Sequence, residues 1–178
     1  MSRWEVRLCI NDFDKSKIHR DNTFSLVEVK NKSFRIRDYE KDVKYICKSI
    51  DNRLEDWDGK PSLEVAKERL NTISNIFLFY HTLESKAIGW CWYTESMTHD
   101  WITTSHKLPT KNSCYAGGMY IRKDINIPPK SGEQLYYHVL SNLLCRYKWV
   151  YGYADSWNRP SIYLANRCRF TPYNFIKE

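Results

Sequence analysis

The sequence lacks the marks of several large protein classes. Nothing approaches the roughly eighteen consecutive apolar residues that a membrane-spanning helix needs, so none is expected. Residues 1–12 hold no apolar core of signal-peptide length. No two of the six cysteines, Cys9, Cys47, Cys91, Cys114, Cys145 and Cys168, stand in a Cys-x-x-Cys or zinc-knuckle pattern. Most lie within apolar stretches, which predicts buried free thiols in a reducing compartment, the cytoplasm. No run of about five or six like charges occurs, which excludes a dedicated nucleic-acid tail. Repeats, low-complexity tracts and a clear linker are also missing. One domain over residues 1–178 is therefore expected, with 1–32 as an N-terminal extension.

Apolar residues make up 42% of the 178 and aromatics 15%, enough for one sizeable core. The seven Trp and thirteen Tyr are expected mostly in that core, the rest lining a cleft or partner surface. The net charge of +7 is spread along the chain. It reads first as a solvated basic face and admits a polyphosphate such as coenzyme A, or more weakly a nucleic acid.

Periodicity orders the elements. Trp4–Ile10 is a candidate strand, and Phe24–Arg37 holds two alternating runs separated by a turn at Lys30-Asn31-Lys32. Tyr39, Val43, Ile46, Cys47 and Ile50 share one helix face, and Ser62 can cap a second helix through Leu70. The apolar runs Ile76–Tyr80 and Ala87–Tyr93 read as a strand hairpin. Met97–Asn112 is polar and reads as a long loop, with His99, Asp100 and His106 at the surface; no metal site is expected. Cys114–Ile121 is a strand with Gly117-Gly118 inside it, which marks a bulge or a close backbone approach. A helix over Gly132–Arg146 presents Leu135, Val139, Leu140, Leu143 and Leu144, then a strand spans Trp149–Ala154. Asn158 can cap a last helix with Pro160 in its first turn, and Tyr173–Ile176 could add a short strand. This order predicts a mixed α/β (α+β) domain, one central and mostly antiparallel sheet flanked by about four helices.

Three linked pieces of the C-terminal third resemble the GNAT superfamily of acetyl-CoA-dependent N-acyltransferases. Gly117-Gly118-Met119-Tyr120-Ile121 is similar to its bulged strand, and Ile127-Pro128-Pro129-Lys130-Ser131-Gly132 to its phosphate loop. Asn158 through Ala165, ending in Arg169-Phe170, is similar to its last helix, Asn-x-x-Ala-x-x-Leu-Tyr with a terminal Gly-Phe. The resemblance implies the GNAT-like fold and acetyl-CoA as co-substrate. It implies a coenzyme A thioester and an amine acceptor, on a small molecule or a protein, as partners. The backbone of Met119, Tyr120 and Ile121 would hold the pantetheine arm, since a bulge frees donors and acceptors that a ladder consumes. Lys130, Ser131, Gly132, Glu133 and Gln134 would meet the pyrophosphate at a helix start, and Asn158 the arm. Asp155 and Glu95 are candidate bases for the amine proton.

The sequence also departs from the pattern. Ile127 stands for Arg or Gln, Lys130 for the loop's first Gly, Arg169 for Gly, and Ala165 for the tyrosine that protonates the leaving thiolate. Tyr163 is the candidate hydroxyl on that helix, although two residues turn it about 200° away. Tyr153 and Tyr120 are alternatives. Two other functions fit the same residues. One is a non-catalytic GNAT-fold binding or assembly protein, phage-encoded or virion-associated, which richness in Lys, Asn and Ile would suit. The other is a GNAT-like enzyme that modifies nucleic acid.

Overall fold

Strict alternation over the first residues makes a strand with two unlike faces. In β1, Ser2–Cys9, Val6 and Leu8 are buried on one side while Arg3, Glu5 and Arg7 occupy the other. The computed structural model describes residues 2–19, 23–30, 74–82, 86–95, 111–121 and 128–177. After two single 3-10 turns come β2 (Phe24–Val29), β3 (Ser74–His81), β4 (Lys86–Thr94) and β5 (Ser113–Ile121). Helix α1 (Ser131–Leu144), β6 (Trp149–Asp155), α2 (Arg159–Arg167) and β7 (Thr171–Lys177) complete the described chain.

The seven strands form one sheet in the order β2-β3-β4-β5-β6-β1-β7. Every neighbouring pair is antiparallel except β5–β6, whose parallel pairing is what α1 bridges. The mixed α/β sheet expected from the element order is present. Two of the expected helices are α1 and α2; those over Tyr39–Ile50 and Ser62–Leu70, the strand run Phe34–Ile36 and the loop histidines lie outside the described residues.

The stripe Leu135, Val139, Leu140, Leu143 and Leu144 is buried, as its spacing predicts. It packs against Val6, Leu8, Phe79, Cys114, Ala116 and Val150 from the sheet. Each such side chain contributes about 1.5–3 kcal/mol by leaving water. Tyr137 is almost fully buried and donates its hydroxyl to the Arg167 carbonyl at 2.6 Å, which fastens α1 to α2.

One placement differs from the sequence reading. The sequence offers the first residues as a candidate strand, Trp4–Ile10, within an N-terminal extension. Instead β1 lies inside the sheet, paired with β6 through Arg3↔Asp155, Glu5↔Tyr153 and Arg7↔Tyr151, and with β7 on its other side. The reason is burial: Val6 and Leu8 extend the apolar face that covers α1.

Candidate functional site

The sheet comes apart beside α1. β5 and β6 pair only from Ser113↔Trp149 to Tyr115↔Tyr151. Gly152 marks the point of parting, where a Cβ would lie 3.2 Å from the Ala116 carbonyl oxygen. Beyond it, β5 keeps β4 on one side and has no strand partner on the other among the described residues. The cause is local. Trp90↔Tyr120 and Trp92↔Gly117 are successive pairs, so β5 carries one residue more than β4 across this step. The extra residue is a bulge, with Gly118 at φ 60, and bulges bend and overtwist the strand that holds them. The sequence signal Gly117-Gly118 therefore marks the observed bulge.

The start of α1 sits against the bulged end of β5. A Cβ at Gly132 would meet Ile121 Cδ1 at 3.1 Å, so only a glycine, or a neighbour that gives way, fits. Lys130 precedes the helix in the left-handed region, at φ 70. The Ser131 N–H and hydroxyl both donate to the Pro128 carbonyl, at 3.1 and 2.7 Å, and close the loop. Gln134 N–H donates to the Lys130 carbonyl at 3.0 Å. The N–H groups of Gly132 and Glu133 have no partner among the described residues, as the first turn of a helix requires. The side chains here are engaged within the chain. Glu133 takes Arg167 Nε and Nη2 at 3.2 Å, and Gln134 Oε1 accepts from the His19 N–H at 3.1 Å. Any ligand at this end meets backbone donors, with the exposed Lys130 ammonium beside them.

Asp155 ends β6 and Asn158 follows it, both beyond the last β5–β6 pair, Tyr115↔Tyr151. Asn158 Oδ1 accepts from the Ser161 N–H at 3.2 Å, so the expected cap of α2 is present. Asp155 Oδ1 stands 3.7 Å from Arg3 Nε, an ion pair supplied by β1. Met119 and Ile121 are half-buried in the bulged strand, and the Tyr120 backbone lies between them.

Glu95 and Tyr163 do not join this group. Thr94 pairs with Tyr115 while Gly89 pairs with Ile121, so Glu95 lies just past the end of β4, beside the start of β5 and away from the bulge. There its carboxylate accepts from the Tyr147 hydroxyl. Tyr163 is 61% exposed on α2, whereas Leu164 and Ala165 pack against the core.

Near the split stand Arg3 and Tyr115, which the sequence reading passed over, beside Tyr153, which it offered as an alternative hydroxyl. The Tyr115 and Tyr153 rings lie 5.8 Å apart, and the Arg3 guanidinium sits 4.8 Å from the Tyr153 ring. Burial pushes the Tyr115 hydroxyl well above the ordinary phenol range, with the Tyr153 hydroxyl adding to it, so it stays protonated. Burial alone pushes the Cys91 thiol up to about 12, and it raises Cys114 as well. Neither is a thiolate at neutral pH, which removes both as nucleophiles. The five described thiols are all free. Among the described residues no helix is long and apolar enough to cross a membrane.

No family model and no curated protein matches the sequence. Solved structures do. A tandem GNAT protein from the clavulanic acid biosynthesis pathway superposes with TM-score 0.65 at 12% identity, over 98% of this chain and 51% of its own. A GCN5-related N-acetyltransferase from Sphaerobacter thermophilus gives 0.64 at 12%, over 98% and 49%. An aminoglycoside acetyltransferase from an uncultured soil metagenomic sample, in complex with sisomicin, gives 0.59 at 11%, over 89% and 95%. The chain spans about half the length of the first structures it matches, 48%, 51% and 58%. Identities this low speak for architecture alone: the chain has the GNAT fold.

Proposed function

We propose that the chain is an N-acyltransferase that moves an acetyl group from acetyl-CoA to an amine of a small molecule or protein. The observation that carries the reading is the split between β5 and β6, with the bulge of β5 and the open first turn of α1 on its rim. The Gly132 and Glu133 N–H groups would hold the pyrophosphate, favoured by the helix dipole, and Lys130 would add a point charge. The backbone of Met119, Tyr120 and Ile121 would hydrogen-bond the amide-rich arm, and the Asn158 side-chain amide would reach it. Gly132 supports this fit, because its missing Cβ lets the helix start seat against Ile121 beside the bulge.

The thioester supplies an activated acyl carbon. The acceptor ammonium gives a proton to Asp155, directly or through water, and becomes a nucleophile. Its nitrogen bonds the acyl carbon, the carbon–sulfur bond breaks, and the sulfur takes up the second amine proton. The products are an amide, the free thiol of CoA and one proton. Backbone N–H groups of β5 beyond Tyr115 would polarise the carbonyl. The free thiols support a reducing, cytoplasmic setting.

A second reading, a GNAT-fold protein that binds without catalysis, is favoured by α2. Ala165 packs inward and Tyr163 faces out, so position 165 offers no hydroxyl and Tyr163 does not replace it. Isothermal titration with acetyl-CoA and CoA is the test. Micromolar affinity is expected, weakened at least about tenfold in Gly132→Glu, which crowds Ile121 and adds a negative charge. No binding at millimolar ligand would remove the acyltransferase reading. Tight binding without thiol release in an amine screen would favour the second.

A further inference from the structure

The two edges of the sheet are finished differently. β2 keeps its apolar residues Phe24, Leu26 and Val27 half-buried. β7, at the other end of the strand order, has β1 on one side and no strand on its outer side among the described residues. Six of its seven residues are exposed, and the other, Ile176, is half-buried. A bulge between Glu5 and Val6 gives β7 one residue more than β1. Residues two apart on a strand share a face, and the bulge breaks that rule here. Phe175 lies on the side of Val6 and Leu8, its ring 4.4 Å from the Trp4 ring. Tyr173 lies on the other side, against Tyr151 and Arg7. Both sides of this edge therefore carry exposed rings, with Trp4, Tyr173 and Phe175 at 40%, 37% and 43%. The other large apolar residues exposed to this degree among the described ones, Trp157 and Tyr163, lie in the connection from β6 to β7.

Edge strands are commonly guarded by proline, lysine, a bulge or a cover. Pro172 and the bulge guard the first half of β7. Asn174, Phe175 and Ile176 carry no such guard, and Lys177 is the only charge of the strand. The Phe175 N–H donates to Asn174 Oδ1 at 3.0 Å. Asn174 is held in turn by Glu5, to which its Nδ2 donates at 2.9 Å. A side chain standing in for a strand is how a backbone donor turned to an empty edge is satisfied.

We propose that this edge pairs with the same edge of a second copy of the chain, antiparallel, about a two-fold axis through Phe175. Acyl transfer plays no part in the pairing. A two-fold contact sets each surface against itself, so the strand must match its own reversal. With the axis at Phe175, that residue meets its counterpart, Asn174 meets Ile176, and Tyr173 meets Lys177. Phe175 and its counterpart exchange two N–H···O=C bonds in place of the Asn174 contact. Two Trp4–Phe175 pairs join on one side of the sheet into a cluster of four rings. The two Lys177 residues stand four positions apart along the ladder, about 13 Å, which is beyond a Debye length. An axis at Asn174 would instead set Tyr173 against Phe175, which point to opposite faces. A foreign strand needs no such symmetry; the match of Phe175 to itself in face, ring and donor singles out a copy. At about 200 Å² a ring, the exposed parts of Trp4, Tyr173 and Phe175 come to about 250 Å². With the strand edge this stays under the about 800 Å² per partner of a standard interface, so the dimer is weak, in the micromolar range.

The test uses the full chain in sedimentation velocity from about 1 to 500 μM. Dimer should grow with concentration, and more so at about 0.5 M salt than at 0.05 M, because each copy carries a net charge of +7 that salt screens. Phe175→Lys and Phe175→Glu place like charges on the axis, and each alone should weaken the dimer at least tenfold. Mixed in equal amounts they should pair again, since residue 175 meets residue 175 only in this register. Phe175 is exposed on an edge, so both variants should keep the urea midpoint of the parent measured at low concentration. Hydrogen exchange on the unaltered chain gives a readout free of substitution: the Phe175 amide should gain protection as concentration rises. A chain that stays monomeric to 500 μM would overturn the proposal and leave the edge to a foreign strand. A dimer untouched by both substitutions, or a mixture that stays monomeric, would overturn it as well, and so would exchange at Phe175 that ignores concentration.

Discussion

Two residues that break the family pattern turn out to occupy the backbone conformation that explains the pattern. Lys130 and Arg169 stand where glycine is usual, and they have φ 70 and 63. Arg169 follows the cap of α2, donating its N–H to the Asn166 carbonyl at 3.0 Å, while Phe170 N–H returns to Ala165 at 2.9 Å. That paired closure places a left-handed residue after the helix, a position where a Cβ costs about 1–2 kcal/mol. Replacing Arg169 with Gly relieves that strain, offset in part by the larger entropy of glycine in the unfolded chain. It also gives up an exposed pair with Asp14 that solvent screens. The net expectation is a gain of about 0.5–1 kcal/mol, read as a higher midpoint in urea. An unchanged or lower midpoint would mean that the Asp14 contact outweighs the strain. The departures were visible in the sequence, but their meaning was not, because a sequence gives residue types and withholds φ. The same limit governs Asp155 and Glu95. Both are acids at strand ends, alike in sequence, and only register puts the first at the split and the second beside the start of β5, away from the bulge.

Elements were more legible than residues wherever the signal was periodic. The stripe of α1 and the apolar run of β3 announce themselves, because burial selects side chains at 3.6 and 2 residue spacings. Gly117-Gly118 announced the bulge for a different reason, since glycine inside a strand is otherwise a loss. Gly152 gave no such warning, yet the way β5 and β6 separate depends on it. Its missing Cβ lets β6 approach the Ala116 carbonyl, and backbone cannot yield as a flexible side chain can. Gly152→Val should therefore destabilise the fold by about 1–3 kcal/mol through overpacking, measured by denaturant unfolding. Gly132→Glu meets only the tip of Ile121 and should cost less stability while harming CoA binding more. The two glycines thus separate the hinge of the split from its ligand rim. A Gly152→Val protein as stable as the parent would show that the strands part for a reason other than this contact.

At the scale of the whole molecule the decisive contacts are those that local patterns do not report. Among the described strands, β1 pairs only with the last two, β6 and β7. Nothing in residues 2–9 points to partners in 149–155 or 171–177, and a charged alternate face reads as a solvent face. The sheet order makes β1 the link that carries β7 and brings Arg3 to Asp155. Its apolar side therefore carries weight that a peripheral strand would not. Leu8 is 1% exposed in the core against α1, so Leu8→Ala should cost about 2–5 kcal/mol from lost transfer and the cavity left behind. Removal of residues 2–9 has a larger expected effect. β6 would lose its neighbour on one side, β7 would have no strand to pair with, and the bared edge of β6 would invite aggregation. A truncated chain should fail to give a cooperative unfolding transition, whereas Leu8→Ala should give a sharp one at lower denaturant. A truncated protein that stays monomeric and cooperative would show that β6 and α1 close the core by themselves.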